Sequence, residues 1–471
     1  MADPSPSSST SSPRRARLTS SLQLGAAALV AATLAAASAP GSSAAAPAAM
    51  TIDHYTLDNG LEVILQPDPT VTSAVVQVWY HVGSKDEVIG KTGFAHLFEH
   101  LMFEGSKHVP EGQFDQLLEA AGGWNNGTTN NDRTTFFEQV PAAQLPLALW
   151  LEADRMAGLW DAMNLDVFTN QRDVVENERR QSYENRPYGM ADLEVQQALW
   201  PKGHGNWNLT IGTMEDLDAA NLADVEHFWR TYYLPSNATL VVVGGFDPAK
   251  VKAEIQQLFA WMPKRPKPAL RTLDAPVVPL DKPVRLTSTD NVQAPKVILD
   301  LRAPQAYGPG FTDVEIATQI LGGSKTSRLS KRLVFQDQLV TEVYAALSPQ
   351  MLGSELSIEA VAKPGVDIAK VEAAILDEIA KLQAAPPTAA EVERARRVTE
   401  VGLLSSLENV ASRAQQLAEW AAYTGDPDHL AEDEAALAAV TPDTVWAAAK
   451  TWIRPDAAVT MIVNPQPAGG K

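Results

Sequence analysis

The sequence predicts an α+β protein made of two tandem, related domains, and three observations carry that reading. "LADVEHFWRTYYLPSNATLVVVGG", from Leu222, and "PDTVWAAAKTWIRPDAAVTMIVNP", from Pro442, match Val225 with Val445, Thr231 with Thr451, Pro235 with Pro455 and Ala238 with Ala458, each pair 220 positions apart. Each stretch reads as a helix, a proline-containing turn and a strand, as an internal duplication would leave it. The Pro-rich segment "MPKRPKPALRTLDAPVVPLDKP", Met262 to Pro283, breaks all periodicity near the middle of the chain, where a linker belongs. At the front of the first half, "TIDHYTLDNGLEVILQPD" places two short alternating runs around Asn59-Gly60, a strong hairpin pair.

These signals set the expected boundaries. Residues 51–262 form the first domain, 263–283 the linker and 284–466 the second. "SAVVQVWYHVGS" reads as a buried strand, and Phe94 to Phe103 as a helix. Residues 1–48 look like an export signal and lead rather than fold. Arg14, Arg15 and Arg17 precede an Ala/Leu/Val run from Leu22 to about Ala39, with small residues following. The Arg14-Arg15 pair raises a twin-arginine route, although "PRRARLTS" matches that signal weakly. A membrane anchor is the competing reading, but the run is barely long enough to span and only weakly apolar. The expected product is an exported chain, most simply periplasmic, with no stable membrane span after signal removal.

Composition narrows the chemistry. With 471 residues, 45% hydrophobic and 20% charged, the chain is globular and too long for one ordinary domain. It has no cysteine, so any transition metal must be held by His, Asp or Glu. A formal charge of -19 argues against nucleic acid as a partner.

"GFAHLFEHLMFEG", Gly93 to Gly105, puts His96, Glu99 and His100 on one face of a helix, because positions i, i+3 and i+4 share a face. Two imidazoles one turn apart can reach one zinc ion. Glu99 can then take a proton from water acidified by the metal, a contribution of about 10²–10⁴-fold in rate. The bland alternative is a helix whose histidines pack or pair with Glu99. Against it stand Phe94, Leu97, Phe98, Leu101, Met102 and Phe103, which make the helix apolar and a partnerless buried imidazole costly. The second-half counterpart, near "TDVEIATQILGG", holds no histidine.

A catalytic zinc usually takes three protein ligands and keeps a fourth position for water. In "VFTNQRDVVENERRQSYENRPYG" the residues Phe168, Gln171, Val175, Glu178 and Ser182 step by three or four, so Glu178 sits on a face with two apolar residues. Zinc would give that carboxylate a partner, as would a nearby Arg. Glu176 is the competing ligand, on a different face.

With these residues in view, the chain resembles the pitrilysin, insulysin and mitochondrial processing peptidase family, whose His-x-x-Glu-His motif inverts the thermolysin-type spacing. The resemblance runs through "TLDNGLEVIL", "GFAHLFEHLMFEGS", "AAGGWNNGTTNNDRTTFFEQVP", "RDVVENERRQSYENRPYG", "YYLPSNATLVVVGGFDP" and "ILGGSKTSRLSKRL", in that order. It implies one zinc ion per chain held by His96, His100 and Glu178, with Glu99 as general base. It also implies an edge strand around Asn126-Gly127 that takes peptide by strand addition. Each domain is implied to be an antiparallel sheet covered by helices. Family members enclose substrate among four such domains, so this chain is expected to pair with a zinc-less relative, or with itself. Two departures stand out. Gln171 replaces a glutamate common two turns before the ligand Glu178, which weakens a supporting role behind the metal. In the second half Arg328 matches an Arg that helps hold the substrate carbonyl, but Thr341 falls where a Tyr is expected and Tyr344 is three residues off.

The leading expectation is an exported zinc endopeptidase for unfolded peptides or short segments, working inside a chamber formed by dimerisation. A non-catalytic assembly subunit of the same fold, with Gln171 and Thr341 as signs of decay, is the alternative, and a metal-dependent hydrolase of other substrates is a third.

Overall fold

Hydrophobic alternation along the strands, read residue by residue, explains why the first half builds a two-faced sheet. The computed structural model describes residues 50–466; the expected export signal lies outside them. The first half runs β1 (Asp53–Thr56), β2 (Glu62–Pro67), β3 (Ser73–Tyr80), α1 (Phe94–Leu101), α2 (Gln113–Ala120), β4 (Trp124–Thr129), β5 (Thr134–Pro141), α3 (Leu145–Ala162), α4 (Leu165–Arg179), α5 (Gly189–Leu199), α6 (Met214–Ala219), α7 (Leu222–Tyr232), β6 (Ala238–Gly244) and α8 (Pro248–Phe259). Along β3, Ala74, Val76, Val78 and Tyr80 point into a core shared with α1, α3 and α7. Val75 and Trp79, on the opposite face, enter a different core. The Asn59-Gly60 hairpin forms between β1 and β2, with Gly60 at φ +95° where a Cβ would meet Ser236 at 2.9 Å.

The second half repeats the plan: β7 (Val284–Asp290), β8 (Lys296–Ala303), α9 (Phe311–Gly322), β9 (Val340–Ser348), β10 (Ser354–Ala362), α10 (Ile368–Ala384), α11 (Ala389–Glu408), α12 (Val410–Thr424), α13 (Leu430–Ala439), α14 (Pro442–Trp452) and β11 (Val459–Pro465). Between the halves, residues 263–283 carry no helix or strand. The strand orders are β1-β2-β6-β3-β5-β4 and β7-β11-β8-β10-β9. With β1 set aside the two are the same path, and the helix-turn-strand repeats seen in sequence are α7 with β6 and α14 with β11.

The expectation of antiparallel sheets needs correction. Both sheets are mixed, since β6 pairs parallel with β2 and β11 parallel with β7, while the other pairs are antiparallel. The closing strand of each half returns through a helix and inserts beside the opening strand, and such a crossover delivers a parallel neighbour. Alternation reports which face a residue takes, not the direction of its neighbour.

The halves exchange helices. Ile64, Val75, Trp79, Val241 and Val243 on the outer face of the first sheet are covered by Val410, Ala414, Leu417, Ala418, Trp420 and Ala421 of α12, from the second half. Ile298, Val459, Met461 and Val463 of the second sheet are covered by Ala191, Val195 and Leu199 of α5, from the first. The swap follows the repeat, because 189–199 of α5 lies 220 positions before 409–419, which overlaps α12. Polar bonds fix both helices. Arg413 donates to Gln66 at 2.9 Å and Asp68 at 2.8 Å, and Gln77 donates to Gln415 at 3.2 Å. The residue before α5, Tyr188, gives its backbone N–H to Asp290 at 2.6 Å and its hydroxyl to the Ala294 carbonyl at 2.8 Å.

A fragment ending between 263 and 283 therefore leaves the outer face of the first sheet bare. Made alone it is expected to aggregate or bind hydrophobic dye, and to become soluble when co-expressed with the remainder. A soluble, monomeric fragment with a single cooperative unfolding transition would contradict this packing.

Candidate functional site

The metal-capable cluster depends on how two helices are brought together. Helix α1 buries Phe94, Leu97, Phe98 and Leu101, which leaves His96, Glu99 and His100 on the opposite side. Its first turn is capped by the Glu87 carboxylate, which accepts from Gly93 N at 2.9 Å and Ala95 N at 2.8 Å. Helix α4 starts on an Asn164 cap, buries Phe168, Gln171 and Val175, and ends one residue after Glu178. Arg179 then donates to the Gly212 carbonyl at 2.7 Å. Gly212 lies against Gly93, and a Cβ on Gly212 would meet the Gly93 Cα at 2.5 Å. The end of α4 is thereby fixed beside the start of α1. Beyond it the chain widens into a π-helical turn over Arg180–Glu184, a local irregularity common at functional sites.

This places His96 Nε2 3.8 Å from one Glu178 oxygen and His100 Nε2 3.3 Å from the other. One donor atom from each of the three residues falls within 4.8 Å of the others, and among the described residues they are the only such group of three. Three donors each about 2.0–2.2 Å from a tetrahedral zinc would stand about 3.4 Å apart, so the cluster needs little movement to hold the ion. The donor types fit as well. Burial lowers the His96 imidazole to about 4, which keeps it neutral and able to ligate. Burial also works to lower His100, but its bond to Glu178 and the charge of that carboxylate outweigh burial and leave it raised. The same bond holds Glu178 below the usual carboxylate range. Glu176, the competing ligand, instead pairs with Arg180 at 3.1 Å and Arg172 at 3.7 Å.

Glu99 stands on the same helix against the sheet edge. Burial raises its carboxyl, and Thr129 donates to its Oε2 at 2.5 Å. Thr129 and Gly127 lie on β4, the terminal strand of the first sheet, whose outer edge has no strand neighbour among the described residues. Gly127 permits the close approach of strand and helix. A Cβ there would meet the Glu99 Cγ at 3.0 Å and the Phe103 ring at 3.1 Å. Asn126 turns its own side chain back, accepting from Gly127 N at 2.8 Å.

Gln171 is buried and donates to Glu104 Oε1 at 2.6 Å, and its side chain adds to Glu178 and Glu99 in raising the His100 imidazole. A carboxylate thus stands beside Gln171 after all, supplied by Glu104 in the bend that follows α1. Burial raises the Glu104 carboxyl. Sequence reasoning missed Glu104 and Thr129. Strand alternation from Gly127 would have put Thr129 on the same face, whereas nothing in the spacing pairs residues 104 and 171.

Arg328 is not joined to this cluster by any hydrogen bond or ion pair. Its guanidinium forms a two-pronged pair with Glu391 at 2.8 and 3.1 Å, at the start of α11. Thr341 donates to the Val361 carbonyl at 3.3 Å, and Tyr344 is exposed on β9, opposite Glu359.

Two measurements follow from this geometry. Gln171→Leu or Glu104→Leu is expected to weaken zinc binding about 10–100-fold in a chelator competition without changing the fold; unchanged affinity would reduce the contact to packing. Zinc affinity is also expected to fall as pH drops through the raised pKa of His100, because proton and metal compete for one nitrogen. A flat affinity profile from about pH 8 to about pH 5 would exclude His100 as a ligand.

Comparisons with known proteins identify the family. The model described as Insulinase (Peptidase family M16) matches residues 62–204, and the one described as Peptidase M16 inactive domain matches 219–399. Zinc protease PqqE of Helicobacter pylori is 28% identical over 375 residues, which cover 78% of this chain and 82% of that protein. The crystal structure of a protease from Helicobacter pylori aligns with a TM-score of 0.83 at 26% identity, over 89% of this chain and 100% of that one. The periplasmic protease PqqL from Escherichia coli shares the fold at a TM-score of 0.72 and 17% identity, over 89% of this chain but only 48% of its own. With the histidine-bearing half matched by the insulinase model and the other half by its inactive counterpart, the chain belongs to the M16 peptidase family, that of pitrilysin and insulinase.

Proposed function

We propose that this chain is an exported zinc endopeptidase that hydrolyses unfolded peptides or short polypeptide segments. The observation that carries the reading is the meeting of His96, His100 and Glu178 within one ion's reach, with Glu99 on the same helix and an open strand edge beside it. Zinc, when bound by these three, supplies a Lewis acid that polarises the scissile carbonyl and acidifies water.

The chain's own residues do the rest. Glu99 accepts the proton of the attacking water and returns it to the departing amine, and its burial moves the carboxyl toward a pKa suited to both steps. Thr129 fixes which oxygen of Glu99 faces the reaction, since Oε2 is already occupied. Strand β4 aligns an extended peptide through backbone hydrogen bonds, which place few demands on sequence. The Asn126 side chain must swing off Gly127 N if that N–H is to pair with substrate.

A chamber needs more than these two halves. This chain matches about half the length of the Escherichia coli relative, which supports dimerisation with a zinc-less relative or with a second copy. Arg328, held by Glu391 in this chain, would then serve the partner's site as a contact to the substrate carbonyl. Export is supported by residues 1–48 of the sequence and by a relative described as periplasmic.

The test is hydrolysis of a pool of unstructured peptides by the mature chain, with zinc content read on the same sample. Cleavage is expected to stop with a chelator and return with zinc. Glu99→Gln is expected to keep zinc and lose about 10²–10⁴-fold in rate, and His96→Ala to lose both. A zinc-free protein that cleaves nothing would favour the non-catalytic subunit, and full activity in Glu99→Gln would overturn the assignment of the base.

A further inference from the structure

The turn between β4 and β5 carries more long-range bonding than a hairpin requires. Asn130 closes it locally, its Oδ1 accepting from Asp132 N at 2.8 Å and Arg133 N at 3.0 Å. Backbone bonds from Ser84 N to the Asn130 carbonyl (3.1 Å) and from Lys85 N to the Asn131 carbonyl (2.9 Å) already moor it within the first half. Yet Asp132, with 2% of its surface exposed, turns its carboxylate toward the other half of the chain. Its Oδ2 accepts the Tyr423 hydroxyl at 2.6 Å and the Met351 N–H at 3.0 Å. Burial of a carboxylate is costly unless donors are held in place for it, and both donors here come from more than 200 residues away.

The bonding continues from the turn to the reacting groups. Arg133 reaches back along the hairpin to the Thr128 carbonyl at 2.6 Å and the Thr128 hydroxyl at 2.5 Å, while its guanidinium lies 5.3 Å from the centre of the Trp79 ring. Trp79 belongs to the face that α12 covers. Thr129, the next residue, holds Glu99. Tyr423 is on the last turn of α12, the exchanged helix, and packs on Tyr307 with ring centres 5.7 Å apart. One unbroken series of contacts thus joins the second half to the end of the edge strand and to the base.

We propose that Tyr423 and Asp132 are positioning residues of the hydrolytic site. Through them the second half sets where β4 lies against α1, and with it the orientation of Glu99 and the register offered to a peptide. The proposal rests on the peptidase reading above, and it assigns a task in the reaction to the half that bears no metal motif. It also predicts that movement of α12 relative to the first sheet is felt as misalignment at Glu99.

Tyr423→Phe removes only the hydroxyl and keeps the ring packing, so it tests the link with little risk to folding. Hydrogen exchange of the amides from Gly127 to Arg133 is expected to quicken about tenfold or more, with zinc content unchanged. In peptide hydrolysis kcat is expected to fall about tenfold and KM to rise. Thr129→Val should lower kcat too, and the double variant should be little worse than Thr129→Val alone, because both act through one series of contacts. Asp132→Asn, which keeps an acceptor for both donors, should retain more activity than Asp132→Ala. Unchanged exchange at 127–133, or faster exchange with unaltered kinetics per folded molecule, overturns the proposal, as does full additivity of the double variant. If the unaltered chain binds zinc but cleaves no peptide even with a zinc-less relative added, the peptidase reading fails by itself. The exchange result would still decide whether Tyr423 holds the turn.

Discussion

Each sheet needs two covered faces, and each half of the chain supplies helices enough for only one of them in place. The crossing of α5 and α12 meets that need, with Trp420 and Leu417 buried over Trp79 and Val75, and Val195 and Leu199 over Ile298 and Met461. Burial of this apolar surface makes the two halves one cooperative body even though their strand orders repeat. The site inherits its rigidity from that arrangement. The sheet that presents β4 is backed on its far side by α12, and the helix that carries His96 and His100 is packed on its near side.

At the site, opposed electrostatic effects are balanced residue by residue. His96 is held neutral by burial, while His100 and Glu178 attract one another strongly enough to offset it. His100 and Glu178 pair beside a neutral imidazole, and an ion between them would satisfy all three donors at once. Glu99 sits one residue from His100 yet takes its partner from the strand, so the proposed base and the proposed ligands are supported by separate elements.

Much of this could be read from the residues themselves. The i, i+3, i+4 spacing put His96, Glu99 and His100 on one face, and the apolar stepping of α4 singled out Glu178 over Glu176; the 220-residue offset exposed the repeat. What could not be read is whatever depends on direction and distance rather than period. Alternation cannot tell that β6 joins β2 parallel. Nor does any local pattern announce that α12 leaves its own half, since an amphipathic helix looks the same whichever sheet it covers. Gln171 looked like a loss because its partner Glu104 lies 67 positions away, in the bend after α1. Arg328 matched a motif, and the structure finds it bound to Glu391, a contact set by the capping turn of α11.

The exchanged helix also dictates a timetable. The bonds between Gln77 and Gln415 and between Arg413 and Asp68 close loops of 338 and 345 residues. The first sheet stays uncovered on one face until nearly the whole chain has been made, an interval of roughly 20–70 s at about 5–20 residues per second. Such high contact order slows folding and prolongs the exposure of Val75, Trp79 and Val241. A nascent chain of this design cannot settle its first half early. It stays open to chaperones for most of its synthesis.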